Sequence, residues 1–183
     1  MLKSPPSLRR PRAALLACGV LLASLFVTAG SAQAGAGPMA FDPNDPTVFV
    51  SRGQNIPNIN LARLVVDGAG AADFEFEGGP SATDYNALMY NTEDNFLYAI
   101  TNAAGDDLPE GALLRIGQTA DLERVGTETY VAADFGAGST IVDQGAYNPD
   151  DGNLYVLSSG RPTMIIIDPD TGDEVDTVTL SQT

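Results

Sequence analysis

Three similar segments recur along this chain, and their recurrence constrains the fold more than any other feature of the sequence. They begin at Phe41, Tyr90 and Tyr147, so 49 and then 57 residues separate successive starts. Each segment has an aromatic residue followed by Asn or Asp, several turn-forming residues, and then an aliphatic–aromatic pair. This order is typical of a strand, a tight turn and a returning strand.

Each segment continues with two more strand-like stretches, separated by turns that are rich in Asp and Gly. These later stretches lie at residues 61–66, 73–77, 112–116, 122–125, 164–167 and 174–180. After residue 34 no stretch has sustained helical periodicity. Four short strands in a repeat of about 50 residues are typical of a β-propeller blade. The sequence therefore predicts an all-β fold, a partial β-propeller of about three four-stranded blades. A β-sandwich is the alternative.

Two tyrosines mark equivalent places in the second and third units. Tyr98 follows Leu97, and Tyr155 follows Leu154. Tyrosines recur at strand positions elsewhere in these units too. Because aromatic rings bury a large apolar area, we expect them to pack in the core between adjacent sheets, and a sugar-stacking surface is the alternative; they are Tyr85, Tyr90, Tyr98, Tyr147 and Tyr155. Replacing Tyr155 by Ala is then expected to cost about 3 kcal/mol of stability.

The repeat units resemble known families. The third unit, through residues 154–160 and 165–172, resembles the YVTN-type propeller repeat. Residues 41–180 also resemble a bacterial domain of unknown function that is found near the N-termini of secreted and cell-surface proteins. The residues that carry this second resemblance are 85–91, 94–95, 97–100, 145–147 and 151–156. The two resemblances imply an exported, propeller-like module and assign no catalytic residue.

The first 34 residues are predicted to be a cleaved secretory signal peptide. Four basic residues precede an apolar run over residues 13–29, and the small-residue site Ala32-Gln33-Ala34 follows. An uncleaved membrane anchor is the alternative. The mature domain is then residues 35–183, and we expect it to be secreted, either extracellular or at the cell surface. Because a terminal repeat needs a cap, we also expect this domain to be incomplete at its C-terminus.

The residues after Ala34 restrict the partners and the chemistry. They include 24 Asp and Glu, five Arg, and no Lys, His or Cys, so the net charge is −19. Nucleic acid is excluded as a partner because phosphate binding needs clustered basic residues, and after signal cleavage no membrane contact is expected. Because Lys, His and Cys are absent after Ala34, the sequence excludes serine triads, thiol proteases, Schiff-base chemistry and zinc sites.

Three polar residues form the candidate ligand-binding site. Asn86 aligns with Asp143, four residues before Tyr90 and Tyr147, and Asp84 lies close by. In a propeller these positions begin innermost strands near the central channel, where oxygen atoms could coordinate Ca²⁺ or bind a small ligand. The alternative is capping of strand starts by hydrogen bonds from side chain to backbone. No cofactor is expected, with Ca²⁺ as the one candidate.

The leading functional hypothesis is a non-catalytic extracellular or cell-surface recognition module. Its partner would be a protein or a glycan, and its end units would pack on the remaining blades of a longer chain or on a second copy. The alternative is a Ca²⁺-dependent hydrolase or lactonase that uses channel-facing carboxylates, which rests on fold analogy.

Overall fold

The structure is a computed structural model that describes residues 37–45, 47–53, 59–79, 81, 83–105 and 107–181. The chain divides into two units, residues 1–34 and 35–183. The predicted signal peptide and its cleavage site lie outside the described residues, so they stay predictions. None of the described residues belongs to a helix with the length and hydropathy needed to cross a membrane.

Eleven strands in the described part of the chain form three antiparallel sheets. Sheet 1 contains β1 (Phe49–Gly53), β2 (Ile59–Val66) and β3 (Ala72–Glu77). Sheet 2 contains β4 (Tyr85–Asn91), β5 (Phe96–Thr101), β6 (Ala112–Ile116) and β7 (Leu122–Thr129). Sheet 3 contains β8 (Gln144–Asn148), β9 (Asn153–Leu157), β10 (Thr163–Ile167) and β11 (Glu174–Thr179). A short 3-10 helix, Ala132–Phe135, lies between sheets 2 and 3. The prediction of an all-β fold is confirmed.

The strands of each sheet pair in the order in which they follow along the chain. Sheets 2 and 3 have the four strands that the repeat predicts. Sheet 1 differs, since the described residues form three strands there, and none takes the place that β4 and β8 have in the other sheets. The segment before β1 instead contacts sheet 2, where Phe41 N donates to Asn95 O and Gln118 N donates to Met39 O. Main-chain hydrogen bonds to sheet 2 therefore hold the start of the first unit.

Asx-type turns join the first two strands of sheets 2 and 3, as the repeat pattern predicts. In sheet 2, Asn91 Oδ1 accepts from Glu93 N at 2.8 Å, and Asn95 has a φ of 62°. In sheet 3, Asn148 Oδ1 accepts from Asp150 N at 3.2 Å, and Gly152 takes the same left-handed place with a φ of 77°. The side-chain amide oxygen of the first turn residue thus accepts from a backbone N–H that the tight turn leaves free.

Sheet 2 forms the centre of the molecule because both of its faces are covered. One face packs against sheet 3 in a cluster that includes Tyr98, Ile100, Leu113, Leu154 and Ile165. The other face packs against sheet 1 and Phe41 in a cluster that includes Leu61, Leu97, Ala99 and Leu114. Strand β5 is buried on both sides, which explains its nearly continuous apolar sequence.

Candidate functional site

The structure places the three sequence-predicted site residues at the starts of neighbouring strands. Asp84 directly precedes β4, Asn86 lies in β4, and Asp143 directly precedes β8. Asn102 connects the two strand starts, since its backbone N–H donates to Asp84 O at 2.8 Å and its Oδ1 accepts from Val142 N at 2.9 Å. Asn102 therefore links the residue before β4 to the residues just before β8.

The side chains of these three residues have different surroundings. Asp143 Oδ1 accepts from Ser159 N at 2.8 Å, and its Oδ2 accepts from the Ser159 hydroxyl. Asn86 Oδ1 accepts from Ser51 Oγ of sheet 1 at 3.3 Å. Asp84 is buried, and its Oδ1 has no hydrogen-bond partner in the described part of the chain. Asp143 therefore makes the side-chain-to-backbone bond that the capping alternative describes.

Metal ligands do not gather at these positions. Within the described ranges, no group of three or more His, Cys, Asp or Glu residues is placed to hold a metal ion. The acidic turn between β10 and β11 uses its first carboxylate locally, because Asp168 Oδ1 accepts from Asp170 N at 2.8 Å. The same turn closes through Gly172, whose N donates to Asp168 O at 2.8 Å and whose φ is 73°.

A cleft between sheets 1 and 2 is the site that the sequence reasoning missed. Its volume is about 500 Å³. Apolar and aromatic side chains line it, and these are Phe41, Phe49, Leu88, Tyr90 and Leu97. The polar side chains that line it are Asp42, Asp45, Thr47, Arg63, Glu77, Gln118 and Thr119. We call this space the aromatic cleft.

Three rings form the aromatic side of this cleft. The ring centroids of Phe41 and Phe49 lie 4.6 Å apart at 59°, and Phe41 meets Tyr90 edge-on at 6.5 Å and 80°. Such tilted and edge-to-face pairs are favourable because the positive edge of one ring meets the negative face of the next. Tyr90 is oriented by its hydroxyl, which donates to Asn95 Oδ1 at 2.9 Å. The rings therefore have defined positions.

The electrostatics of the cleft are dominated by carboxylates. Arg63 is paired with Glu75 and Glu77, each at 2.9 Å, so its charge is already balanced. Asp42 accepts from Asn44 N at 2.9 Å, and this backbone hydrogen bond lowers the pKa of the Asp42 carboxyl. Partial burial, together with the carboxylates of Asp94 and Asp42, raises the pKa of the Tyr90 phenol. At neutral pH the Asp42 carboxyl is thus ionised and the Tyr90 phenol is neutral.

This arrangement offers two kinds of contact to a ligand. Ring faces can stack on the C–H faces of a ligand, and carboxylates accept hydrogen bonds from its hydroxyl or ammonium groups. The signal in the sequence was the aromatic residue that opens each unit, here Phe41 and Tyr90. These two rings come together only because the segment before β1 packs on sheet 2, which the repeat pattern does not predict.

Tyr98 and Tyr155 occupy equivalent strand positions, as predicted. Tyr98 pairs with Arg115 across β5 and β6, and Tyr155 pairs with Ile166 across β9 and β10. Tyr98 is completely buried. The expectation of a core position is wrong for Tyr155, which is only partly buried because no sheet of the described chain covers its side of sheet 3.

Comparison with known families agrees with the repeat architecture. Residues 49–183 match the profile of a family described as a repeat of unknown function, DUF6923, and this range is well over half of the chain. The expectation of a repeat domain of unknown function is confirmed. No curated protein matches the chain.

Proposed function

The chain belongs to DUF6923, a family of repeats of unknown function, and we propose that it acts as a non-catalytic recognition module of the propeller type, exported from the cell, which binds a glycan in its aromatic cleft. The cleft itself carries this proposal. It combines three aromatic rings with the carboxylates of Asp42, Asp45 and Glu77 in a space of about 500 Å³, which is the size of a small-molecule site.

The order of the sheets supports the propeller part of the proposal. Each sheet is a meander of strands that are consecutive in the chain, and sheet 2 is covered on one face by the unit before it and on the other by the unit after it. A β-sandwich covers one face of each of two sheets. Propeller blades are stacked with neighbours on both faces.

The chemistry of the cleft favours a glycan over other small molecules. Sugar rings present apolar C–H faces for stacking and many hydroxyl donors for carboxylate acceptors. Phosphorylated and carboxylated ligands are disfavoured, since Asp42 and Asp45 face the cleft and Arg63 is already paired with two glutamates. A neutral glycan can stack on the rings and is not repelled by the carboxylates.

Export is supported by the N-terminal sequence. Residues 1–34 have the basic, apolar and small-residue regions of a signal peptide. N-terminal sequencing of protein from the culture medium should read Gly35 as the first residue. Protein that keeps Met1 and sediments with membranes would contradict this.

Glycan binding is tested on an array of neutral glycans, with each hit measured by calorimetry. Phe49→Leu removes a ring from the cleft and keeps its apolar bulk, and we expect it to weaken binding by about five- to tenfold, since an aromatic contact contributes about 1 kcal/mol. Phe96→Leu is the matched control, because Phe96 is also partly buried and lies on the opposite face of sheet 2. An array without hits, or equal losses in the two variants, would overturn the proposal.

A Ca²⁺-dependent hydrolase or lactonase is the alternative function. The observation in its favour is the buried Asp84 Oδ1, which has no hydrogen-bond partner among the described residues and could ligate a cation. Under this alternative, ester or lactone hydrolysis would require Asp143 and would be lost with a chelator. Activity that survives Asp143→Asn and chelation would remove this alternative.

A further inference from the structure

The two ends of the stack of sheets both present apolar faces. Residues opposite each other in an antiparallel pair share a face, so the registers identify the side chains on each end. We define the outer face of sheet 3 by Ala146, Tyr155, Leu157, Met164 and Ile166. We define the outer face of sheet 1 by Val50, Ala62, Leu64, Val66 and Phe76. Val66 and Phe76 are 59% and 49% exposed, whereas Ala62 and Ile166 are buried.

The outer face of sheet 3 corresponds to a face of sheet 2 that is covered. The register pairs Tyr98 with Arg115 and Ile100 with Leu113 in sheet 2, and Tyr155 with Ile166 and Leu157 with Met164 in sheet 3. In sheet 2, Tyr98, Ile100 and Leu113 are completely buried because sheet 3 packs on them. The same positions of sheet 3 carry apolar side chains and have no sheet above them in the described chain.

The outer face of sheet 1 corresponds to the opposite, equally covered face of the other two sheets. Val50 pairs with Ala62, as Ala99 pairs with Leu114 in sheet 2 and Val156 with Ile165 in sheet 3. Ala99 and Leu114 pack toward sheet 1, and Val156 and Ile165 pack on sheet 2. In sheets 2 and 3 this face therefore packs on the unit before it. The corresponding face of sheet 1 is its outer face, which also carries apolar side chains.

We propose that a second copy of this chain docks the outer face of its sheet 1 on the outer face of sheet 3, which repeats the packing of sheet 3 on sheet 2. The same chain cannot make this contact, because its sheets 1 and 3 lie on opposite faces of sheet 2. A second copy carries the complementary face in the required order. Two such contacts between two copies join six sheets, which is within the four to eight blades of closed propellers.

The proposal depends on the face-to-face stacking of the sheets and not on glycan binding. It also predicts a dependence on salt. Two chains that each carry a net charge of −19 after Ala34 repel each other, and salt screens this repulsion while the apolar contact remains. Association should therefore become tighter as NaCl is added, whereas an interface held by ion pairs would weaken.

The test is the mass of the full chain in solution by sedimentation equilibrium. We expect about twice the 19.0 kDa of one chain, less any segment removed on export. Leu157→Glu on sheet 3 and Phe76→Glu on sheet 1 should each raise the dimer dissociation constant by at least about tenfold, because each buries an unpaired charge. Ile141→Glu is the matched control, since Ile141 is exposed in the loop before β8 and belongs to neither face.

Mixing the variants distinguishes the pairing of sheet 1 with sheet 3 from a symmetric pairing in which the same sheet of both copies meets. Leu157→Glu leaves sheet 1 intact and Phe76→Glu leaves sheet 3 intact, so an equimolar mixture should form a heterodimer although each variant alone is a monomer. Circular dichroism checks that each variant is folded. A monomeric wild-type chain at all concentrations would overturn the proposal, and so would a Phe76→Glu variant that dimerises as well as the wild type.

Discussion

Tyr98 and Tyr155 make the same hydrogen bond in successive sheets, yet the first is completely buried and the second only partly. Each hydroxyl donates to the carboxylate of the aspartate four residues earlier, Asp94 for Tyr98 and Asp151 for Tyr155. Sheet 3 covers the ring of Tyr98, and no described sheet covers the ring of Tyr155. The local geometry of the two residues is thus shared, and the burial depends on the neighbouring sheet.

This difference predicts unequal costs of truncation. Tyr98→Ala should lower the free energy of unfolding by about 3–5 kcal/mol, since it empties a closed core site. Tyr155→Ala should cost less than half as much, about 1 kcal/mol, because its ring is already in part hydrated. Urea unfolding at dilutions that keep the chain monomeric measures both. Equal losses in the monomer would contradict the burial described here.

Asn102 should be more important for stability than other polar loop residues. Asn102→Ala removes the acceptor of the buried Val142 N–H, and a buried donor without a partner costs about 1–3 kcal/mol. Thermal unfolding measures this loss, and amide exchange at Val142 should speed up. Asn44→Ala, in an exposed turn, is the control and should change stability little. Slow exchange at Val142 in the Asn102 variant would argue against the contact.

Gly145 should be intolerant of any side chain. A Cβ at this position would lie 2.7 Å from Met89 Cγ and 2.8 Å from Ala87 O, where sheet 3 lies close to sheet 2. Met89 can move but the carbonyl cannot, so we expect Gly145→Ala to cost about 1–3 kcal/mol. Gly68→Ala is the control, because nothing lies within 4 Å of its Cβ. Chemical denaturation that finds both variants equally stable would refute the close approach.

Stability should fall at alkaline pH. Burial raises the pKa of the Tyr85 phenol to about 12, from 10.0 in the unfolded chain. The unfolded chain loses this proton first, so stability is full below pH 10 and decreases as the pH rises toward 12, by up to about 3 kcal/mol from this group. Melting temperatures at pH 8 and pH 11 should differ less in Tyr85→Phe than in the wild type. If this difference in melting temperature is the same in both proteins, Tyr85 does not contribute to the loss of stability at alkaline pH.

Calcium should bind weakly or not at all to the isolated chain. Asp143 accepts a hydrogen bond from Ser159, and Asp168 accepts one within its own turn. Both carboxylates therefore have fewer oxygen lone pairs free to ligate Ca²⁺. Calorimetry with Ca²⁺, after treatment with a chelator, should show no stoichiometric site tighter than about 10 μM, the range of regulatory sites. A tighter site that disappears in Asp84→Asn would support the hydrolase alternative instead.

The sequence by itself determined the local parts of this protein. The strand stretches at 61–66 and 112–116 lie within β2 and β6, and the turns at Asn91 and Asn148 close as predicted. These features depend on residues a few positions apart, so the repeat displays them. The prediction at 122–125 found only the first half of β7, because the strand continues past Gly126, which has a φ of 66°.

The tertiary structure decided which of these elements have neighbours. It left Tyr155 partly exposed, gave Asn86 and Asp143 different partners, and brought Phe41 and Phe49 together with Tyr90 to form the aromatic cleft. Burial and cleft formation depend on how whole sheets stack, through contacts between residues far apart in the sequence, such as Ser51 with Asn86 and Phe41 with Tyr90. Equivalent residues in a repeat therefore share their backbone conformation, whereas the sheet that lies above each one sets its exposure and its chemistry.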